Sequence, residues 1–572
     1  MILKKNNRIF LPTDFKIENA AQVLHFFHTL LNEEITSKAQ FEIWLEKVSE
    51  LESVLSEDLA WRYIAMTCDT ANSDLQNNYS FFVQEIQPAI ANVSHQLNLK
   101  IYHSPFTNAL ASNSAYHLYF SQVKNAIDLF REENIALETQ EQTLAQQYSS
   151  LMGQLSISYQ GNDLTLQQAR TFLKNQDRNT REQVYLLIQN AYYNIHKDID
   201  IIFSKLVKIR HQIATNAGFE SYTDYKFKAL SRIDYTPIDC FDFHNAIQKV
   251  VVPLKTNVLR ERKYALNLKE LKPWDTAVDT NNLPPLKPFE NDTDLLDKSI
   301  NALAKIDPFF GDCLKTMKEM NHLDLGSRKG KAPGGYNYPL AETGVPFIFM
   351  NAAGLHRDME TMIHESGHAI HSFLTRDLTL NAFKNTPSEV AELASMTLEL
   401  LSMDVWSEFY PNENDLRRAQ KEKLEEIFTT LPWIATIDAF QHWIYQNPNH
   451  SPKQRVDQWN AICDSFDGNI IDYDGLEHFR SYAWQAQLHL FEVPFYYIEY
   501  GFAQLGAIAI WKNYISDKQS ALNAYKSALK AGYTVGIPNI YALADIQFSS
   551  NKKYVESLFN FLNTKYQENC IQ

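Results

Sequence analysis

The sequence predicts a mainly α protein with a small amount of β-structure inserted into it. Two patterns point there. Apolar residues recur at spacings of three and four over most of the 572 residues, and alternating apolar residues occur only in a few short runs. No fixed-period repeat or low-complexity tract is present, which sets aside solenoid and disordered architectures. A chain this long accommodates more than one domain, although large helical chains often merge them around one cleft.

In chain order, Met1 to Pro12 carries charge but is followed by no apolar run of signal-peptide length. From about Ile17 to Leu99, positions such as Phe41, Trp44, Leu45, Val48, Leu51 and Leu55 mark amphipathic helices facing a common core. A second helical block runs from about Ala115 to Gln147. Leu155, Ile157 and Tyr159 then alternate before Gly161-Asn162-Asp163, with Leu164 and Leu166 beyond, which predicts a β-hairpin. Gln183 to Ala217 is again helical, and Gly218 is a stop. Leu271 to Asp294 holds Pro273, Pro284, Pro285 and Pro288 and reads as a long connection. The glycine-dense stretch Asp324 to Tyr336 lacks the spacing and the hydroxyl of a phosphate-binding loop. With the strand-like Val345 to Met350 behind it, it reads as a sheet edge in a cleft or as a plain surface hairpin. Met362 to Phe373 and Pro387 to Glu399 have helix patterns, and the remainder is helical with loops near Pro411, Pro448 and Gly468.

The formal charge of −15, from 53 basic and 68 acidic side chains, argues against nucleic acid or an anionic membrane as the main partner. No stretch reaches the roughly 18 uncharged apolar residues of a membrane span. The five cysteines, Cys68, Cys240, Cys313, Cys463 and Cys570, are scattered and form no C-x-x-C, so neither a disulfide framework nor a cysteine zinc site is suggested. A cytoplasmic location is the expectation.

His364, Glu365 and His368 form an H-E-x-x-H. Residues four apart stand on one face of a helix, so the two imidazoles can grip one metal ion, and Glu365, about 100° around the helix, can reach a water held by that metal. The motif fixes only three residues and arises by accident in a few per cent of comparable chains, so its surroundings decide. A hydrolytic zinc site wants three protein ligands and an open position. The extended motif with a third histidine is excluded, because Ile370 and Leu374 occupy its glycine and histidine positions. A later carboxylate remains, and Glu392, in the apolar run Val390 to Ala394 on the next helix, is the candidate. Glu399, seven residues further on the same face, is placed to orient a ligating imidazole. Glu389 reads instead as an exposed acid near a helix start, and His371 as a packing or supporting residue one turn beyond the pair. Downstream, His489, Tyr496, Tyr497 and Tyr500 lie in one mostly apolar stretch. They are either an aromatic core segment or the wall of a site that donates to a carbonyl oxygen.

His364-Glu-Ser-Gly-His-Ala-Ile-His371, Ser388-Glu-Val-Ala-Glu-Leu-Ala-Ser-Met396, Gly344-Val-Pro-Phe-Ile-Phe-Met-Asn-Ala-Ala-Gly354 and His489-Leu-Phe-Glu-Val-Pro-Phe-Tyr-Tyr497 together resemble the oligoendopeptidase F branch of the thimet oligopeptidase family of zinc metallopeptidases. The resemblance covers the chain strongly from about Ile201 onward and loosely before it. It implies a prolate, multi-helix endopeptidase with a deep central channel, a small β-sheet near one Zn(2+) ion, and residues 1–200 as one wall. It further implies His364, His368 and Glu392 as zinc ligands, Glu365 as general base and His489 with a tyrosine as carbonyl donors; Tyr497 and Tyr500, three apart on one face, are preferred. Short peptides are the implied substrates, lying extended beside Phe347 to Met350. Two other readings stay open: a zinc carboxypeptidase or dipeptidyl carboxypeptidase, which would need a cation such as Arg480 or Arg328 for the substrate carboxylate, and an inactive peptide-binding protein, which would be free to lose the ligands and Glu365 that this chain retains.

Overall fold

A computed structural model describes residues 8–570 apart from Lys329 and Pro333. Met1 to Asn7 of the charged N-terminal stretch, those two positions of the glycine-dense segment and the Cys570 side chain therefore lie outside the described residues. The chain is mainly helical, with two small sheets. The elements that matter most are helix α1 (Lys38–Cys68), the hairpin β1 (Ser156–Tyr159) and β2 (Asn162–Thr165), and helix α2 (Pro237–Ala246). They are followed by strands β3 (Leu323–Gly326), β4 (Tyr336–Tyr338) and β5 (Phe347–Ala352), and by helices α3 (His356–Thr375), α4 (Ser388–Ser402), α5 (Glu413–Gln446) and α6 (Tyr497–Ser516).

The predicted hairpin is present, with antiparallel pairing from Ser156–Thr165 to Tyr159–Asn162. Gln160 and Gly161 both take positive φ, the backbone that a tight two-residue hairpin turn requires. Leu271 to Asp294 is a connection as expected, containing one turn of 3-10 helix at Pro273–Asp275. Asp275 is fully buried there and is held by Arg178 at 2.7 Å and Arg181 at 2.9 Å.

The second sheet has the order β3-β5-β4, with β3 parallel and β4 antiparallel to β5. Phe347 to Met350 therefore lies on the central strand, and a peptide cannot lie alongside it as the sequence had suggested. The two edge strands of this sheet are β3 and β4. Helix α1 buttresses this sheet: Ala60 and Ile64 pack with Leu340, Phe347 and Phe349, the Thr67 hydroxyl meets that of Tyr336 at 2.6 Å, and Glu57 accepts from the backbone N–H groups of Glu342 and Thr343. Lys331, in the glycine-dense segment, is buried. Its ammonium donates to the Asp324 carboxylate at 2.8 Å and to the carbonyls of Gly326 and Met350, which makes it a strut of the sheet.

Helix α3 begins where Gly354 turns the chain at positive φ. The Asp358 carboxylate accepts the backbone N–H groups of Ala353 at 2.7 Å and Leu355 at 3.0 Å, closing the open donors of the first turn. Helix α4 starts after Pro387 and is buried nearly all round, which places it in the interior between other helices. It lies between α3 and α6. On the α3 side, a Cβ at Gly367 would come within 2.5 Å of Ser395 Cα, and on the α6 side a Cβ at Gly506 would come within 2.6 Å of the Leu393 side chain. These two glycines set how closely the three helices approach. The turn between α3 and α4 inserts Leu380 and Phe383 into the N-terminal core formed around Phe41, Trp44 and Phe120, and the backbone N–H of Asn381 donates to Ser49 Oγ at 2.6 Å.

Because the α3–α4 approach is limited by backbone, Gly367→Ala is expected to cost about 1–3 kcal/mol of stability through overpacking. Denaturant unfolding of the variant checks this, and an unchanged midpoint would contradict the close contact.

Candidate metal centre

The close approach of α3 and α4 brings three ligand atoms to one point. Glu392 Oε2 lies 3.4 Å from His364 Nε2 and 3.6 Å from His368 Nε2, and the three donor atoms all fall within 4.8 Å of one another. Bonds of about 2.0–2.1 Å in a tetrahedron separate ligand atoms by about 3.3 Å, so the set fits a zinc ion with little movement. Glu392 is buried, whereas the two imidazoles keep 20% and 19% of their side-chain surface, so the open side faces the cleft.

Each ligand is aimed by a further contact. His364 Nδ1 meets Glu399 Oε1 at 2.6 Å, which leaves the Nε2 lone pair for the metal. Glu399 is held in turn by the ammonium of Lys423 on α5, and Lys423 also pairs with Glu426 at 2.8 Å. A ring nitrogen of His368 bonds the Ala391 backbone carbonyl. Glu392 Oε1 accepts from the Tyr496 hydroxyl at 2.8 Å, and Oε2 accepts from Ser395 Oγ at 3.1 Å. Burial opposes ionisation of Glu392, but His368, His364 and Tyr496 together outweigh it and hold the carboxyl down at about 2. Glu392 is therefore a carboxylate at neutral pH, the form in which it can bind a divalent cation.

Glu365 is buried beside these ligands, and burial pushes its carboxyl up to about 7. Asn337 on β4 clamps it from the sheet side, its backbone N–H donating to the carboxylate and its side-chain amide to the Glu365 carbonyl at 3.2 Å. The Glu365 carboxylate and the edge strand β4 thus stand next to each other.

On the opposite wall, His489 Nε2 lies 3.4 Å from the Tyr500 hydroxyl. The orientation of His489 is set by a relay. The Trp433 indole N–H, a donor only, meets Gln487 Oε1 at 3.1 Å, so the amide nitrogen of Gln487 faces His489 Nδ1 at 2.7 Å. That nitrogen must accept, and burial lowers the imidazole to about 4, so at neutral pH the ring carries its proton on Nε2, toward Tyr500. Tyr500 lies within electrostatic reach of Glu392 and Glu365, while the Tyr497 hydroxyl turns to Trp433 and Gln487. The two phenols preferred as candidates for the carbonyl donor thus face different partners.

Other expected placements divide. His371 is buried against the Leu529 backbone and away from the ligands, in keeping with a packing role. Glu389 is not an exposed acid: it is buried, accepts from the Tyr235 hydroxyl and lies 3.8 Å from Arg232. Arg328 pairs with Asp324 at 2.6 Å and Arg480 with Asp464 at 2.8 Å, so both arginines considered for a substrate carboxylate are engaged elsewhere. Sequence reasoning missed Asn337, Lys423, Trp433 and Gln487 as supports of the site. Gln487 alone carried a signal, two residues before His489; the others come from distant elements.

The peptidase family M3 model matches residues 171–559, and the model of the M3 N-terminal domain matches residues 10–130. The chain belongs to peptidase family M3. Members of this family are zinc metallopeptidases, which accords with the donor set just described. The M3 chain is 22% identical over 543 residues to an oligoendopeptidase F homolog of Mycoplasma pneumoniae, covering 87% of this chain and 86% of that protein. To the chromosomal oligoendopeptidase F of Lactococcus lactis subsp. cremoris it is 23% identical over 418 residues, 70% of this chain and 65% of that protein. Its fold superposes on a solved structure described as PZ peptidase A with inhibitor 2 with a TM-score of 0.92 at 24% identity, covering 97% of this chain and 99% of that one. No helix among the described residues is long and apolar enough to cross a membrane.

Since Glu399 fixes the ring of His364, Glu399→Gln is expected to weaken zinc binding about 10- to 100-fold. Competition with a chromophoric chelator measures this, and affinity equal to the parent protein would remove Glu399 from the site.

Proposed function

We propose that this M3 chain is a zinc-dependent endopeptidase for short peptides, with His364, His368 and Glu392 holding one zinc ion. The observation that carries this reading is the convergence of those three donor atoms beside Glu365, whose backbone carbonyl is held by Asn337 on the edge strand β4. When bound, zinc supplies Lewis acidity toward a water and the scissile carbonyl. The remaining work falls to the side chains. A peptide lies extended along the outer side of β4, where backbone groups of the edge strand orient it. Glu365 accepts a proton from the attacking water and passes it to the leaving amine, a two-way task suited to a carboxyl raised toward neutrality by burial. As charge builds on the carbonyl oxygen, the Nε2–H of His489 and the hydroxyl of Tyr500 donate to it more strongly than to the ground state. Tyr496 steadies Glu392, and Tyr497 steadies the Trp433–Gln487 relay. An exopeptidase reading draws less support, because Arg328 and Arg480 are paired away from the ligands.

Glu365→Gln is expected to retain zinc and lose at least 10²-fold in peptide turnover; near-normal turnover would refute the mechanism. Tyr500→Phe is expected to lower kcat about 10²- to 10³-fold with little change in KM, and Tyr497→Phe to do much less. Steady-state kinetics on a quenched peptide blocked at both ends compares them, and the same peptide separates the modes: internal cleavage supports an endopeptidase, whereas resistance to cleavage supports an exopeptidase.

A further inference from the structure

A second group of ligand-type side chains lies where α2 meets α5, away from the centre described above. Cys240 and His244 are four apart on α2, and Asp438 and His442 are four apart on α5, so each pair stands on one helix face. Cys240, Asp438 and His442 are all buried, and each offers a ligand atom within 4.8 Å of the others. His244 Nε2 is 2.8 Å from Asp438 Oδ2, and His442 Nε2 is 3.4 Å from the same oxygen.

A simple Asp–His network does not account for this cluster. Asp438 Oδ1 and His442 Nδ1 are buried and make no hydrogen bond among the described residues, and His442 Nε2 has only its 3.4 Å approach to Asp438 Oδ2. Asp438 is fully buried and His442 is 2% exposed, so solvent does not compensate them. Buried polar atoms of this kind call for a partner, and two of them beside one thiol point to a shared one. The aromatic rings of Phe241 and Phe495, 4.8 and 5.1 Å from that of His442, wall the cluster off. Nearby Arg232 is already balanced by Glu499 at 2.6 Å and Glu389 at 3.8 Å.

We propose that Cys240, Asp438 and His442 form a second, structural site for a zinc-class divalent cation that pins α2 to α5. A sulfur, an imidazole nitrogen and one carboxylate oxygen suit a borderline-soft ion and disfavour magnesium or calcium, which want oxygen. His244 positions the carboxylate by engaging Oδ2, leaving Oδ1 for the ion. Binding converts the Cys240 thiol to a thiolate, and its proton passes to solvent. The site shares no residue with the H-E-x-x-H centre, and the proposal does not depend on the catalytic reading.

The two centres differ in that only one contains sulfur. The test measures metal per chain by mass spectrometry of the intact, full-length protein, and absorption spectra after refolding with Co(2+). Two equivalents per wild-type chain and a thiolate-to-cobalt charge-transfer band in the near ultraviolet are expected. Cys240→Ser should lose the band and one equivalent, whereas His368→Ala should lose one equivalent and keep the band. One equivalent in the wild type, no thiolate band, a band that survives Cys240→Ser, or a His368→Ala variant with no metal would each overturn the proposal. If Cys240→Ser does not fold, the wild-type count and spectrum with His368→Ala still decide it.

Discussion

The interior of this protein is organised by the burial of three carboxylates on α4. A helix sealed on nearly every face carries Glu389, Glu392 and Glu399, and each must find a partner because an unpaired buried charge is strongly unfavourable. Glu389 finds Tyr235 and Arg232, Glu392 finds the two imidazoles of α3 with Tyr496, and Glu399 finds His364 and Lys423. The neighbouring helices are thereby tied to α4 by specific polar contacts as well as by packing. Gly367 allows the backbones of α3 and α4 to approach closely enough for histidine and glutamate atoms to converge.

The walls of the centre follow from the same requirement. A neutral imidazole has two interchangeable tautomers, and a site that must donate at one nitrogen needs a fixed acceptor role at the other. Trp433, which can only donate, sets the amide of Gln487, and Gln487 sets His489. On the sheet side, Asn337 plays the corresponding part for Glu365. Groups that would contact a substrate are thus each oriented by a residue from a different element, and that arrangement limits the reorganisation left for the reaction.

Helix α5 links the two metal-type clusters. Its 34 residues, about 51 Å long at 1.5 Å per residue, carry Lys423 toward Glu399, Trp433 toward Gln487, and Asp438 and His442 toward Cys240. Pro432 lies within it, directly before Trp433. A helix that supports the catalytic candidates at two levels is one whose position has to be secured, and a cation joining it to α2 would do that.

By itself, the sequence determined the helical class, the hairpin and the long proline-rich connection, and it singled out the H-E-x-x-H histidines and Glu392 as candidate ligands, because these depend on periodicity and motif spacing. It also put Glu399 on the face of Glu392, since seven residues along a helix preserve a face, and the structure showed that the imidazole it meets is that of His364. Only the tertiary structure decided that Phe347 to Met350 lies on the central strand, because strand order is not encoded in the pattern of that segment alone. Only it separated Tyr496, Tyr497 and Tyr500, adjacent in sequence but pointed at different partners, and buried Glu389, which the sequence had read as exposed. Cys240 looked solitary for the same reason: its partners, Asp438 and His442, lie about two hundred residues away on α5, and contact between distant segments leaves no periodic trace in the chain.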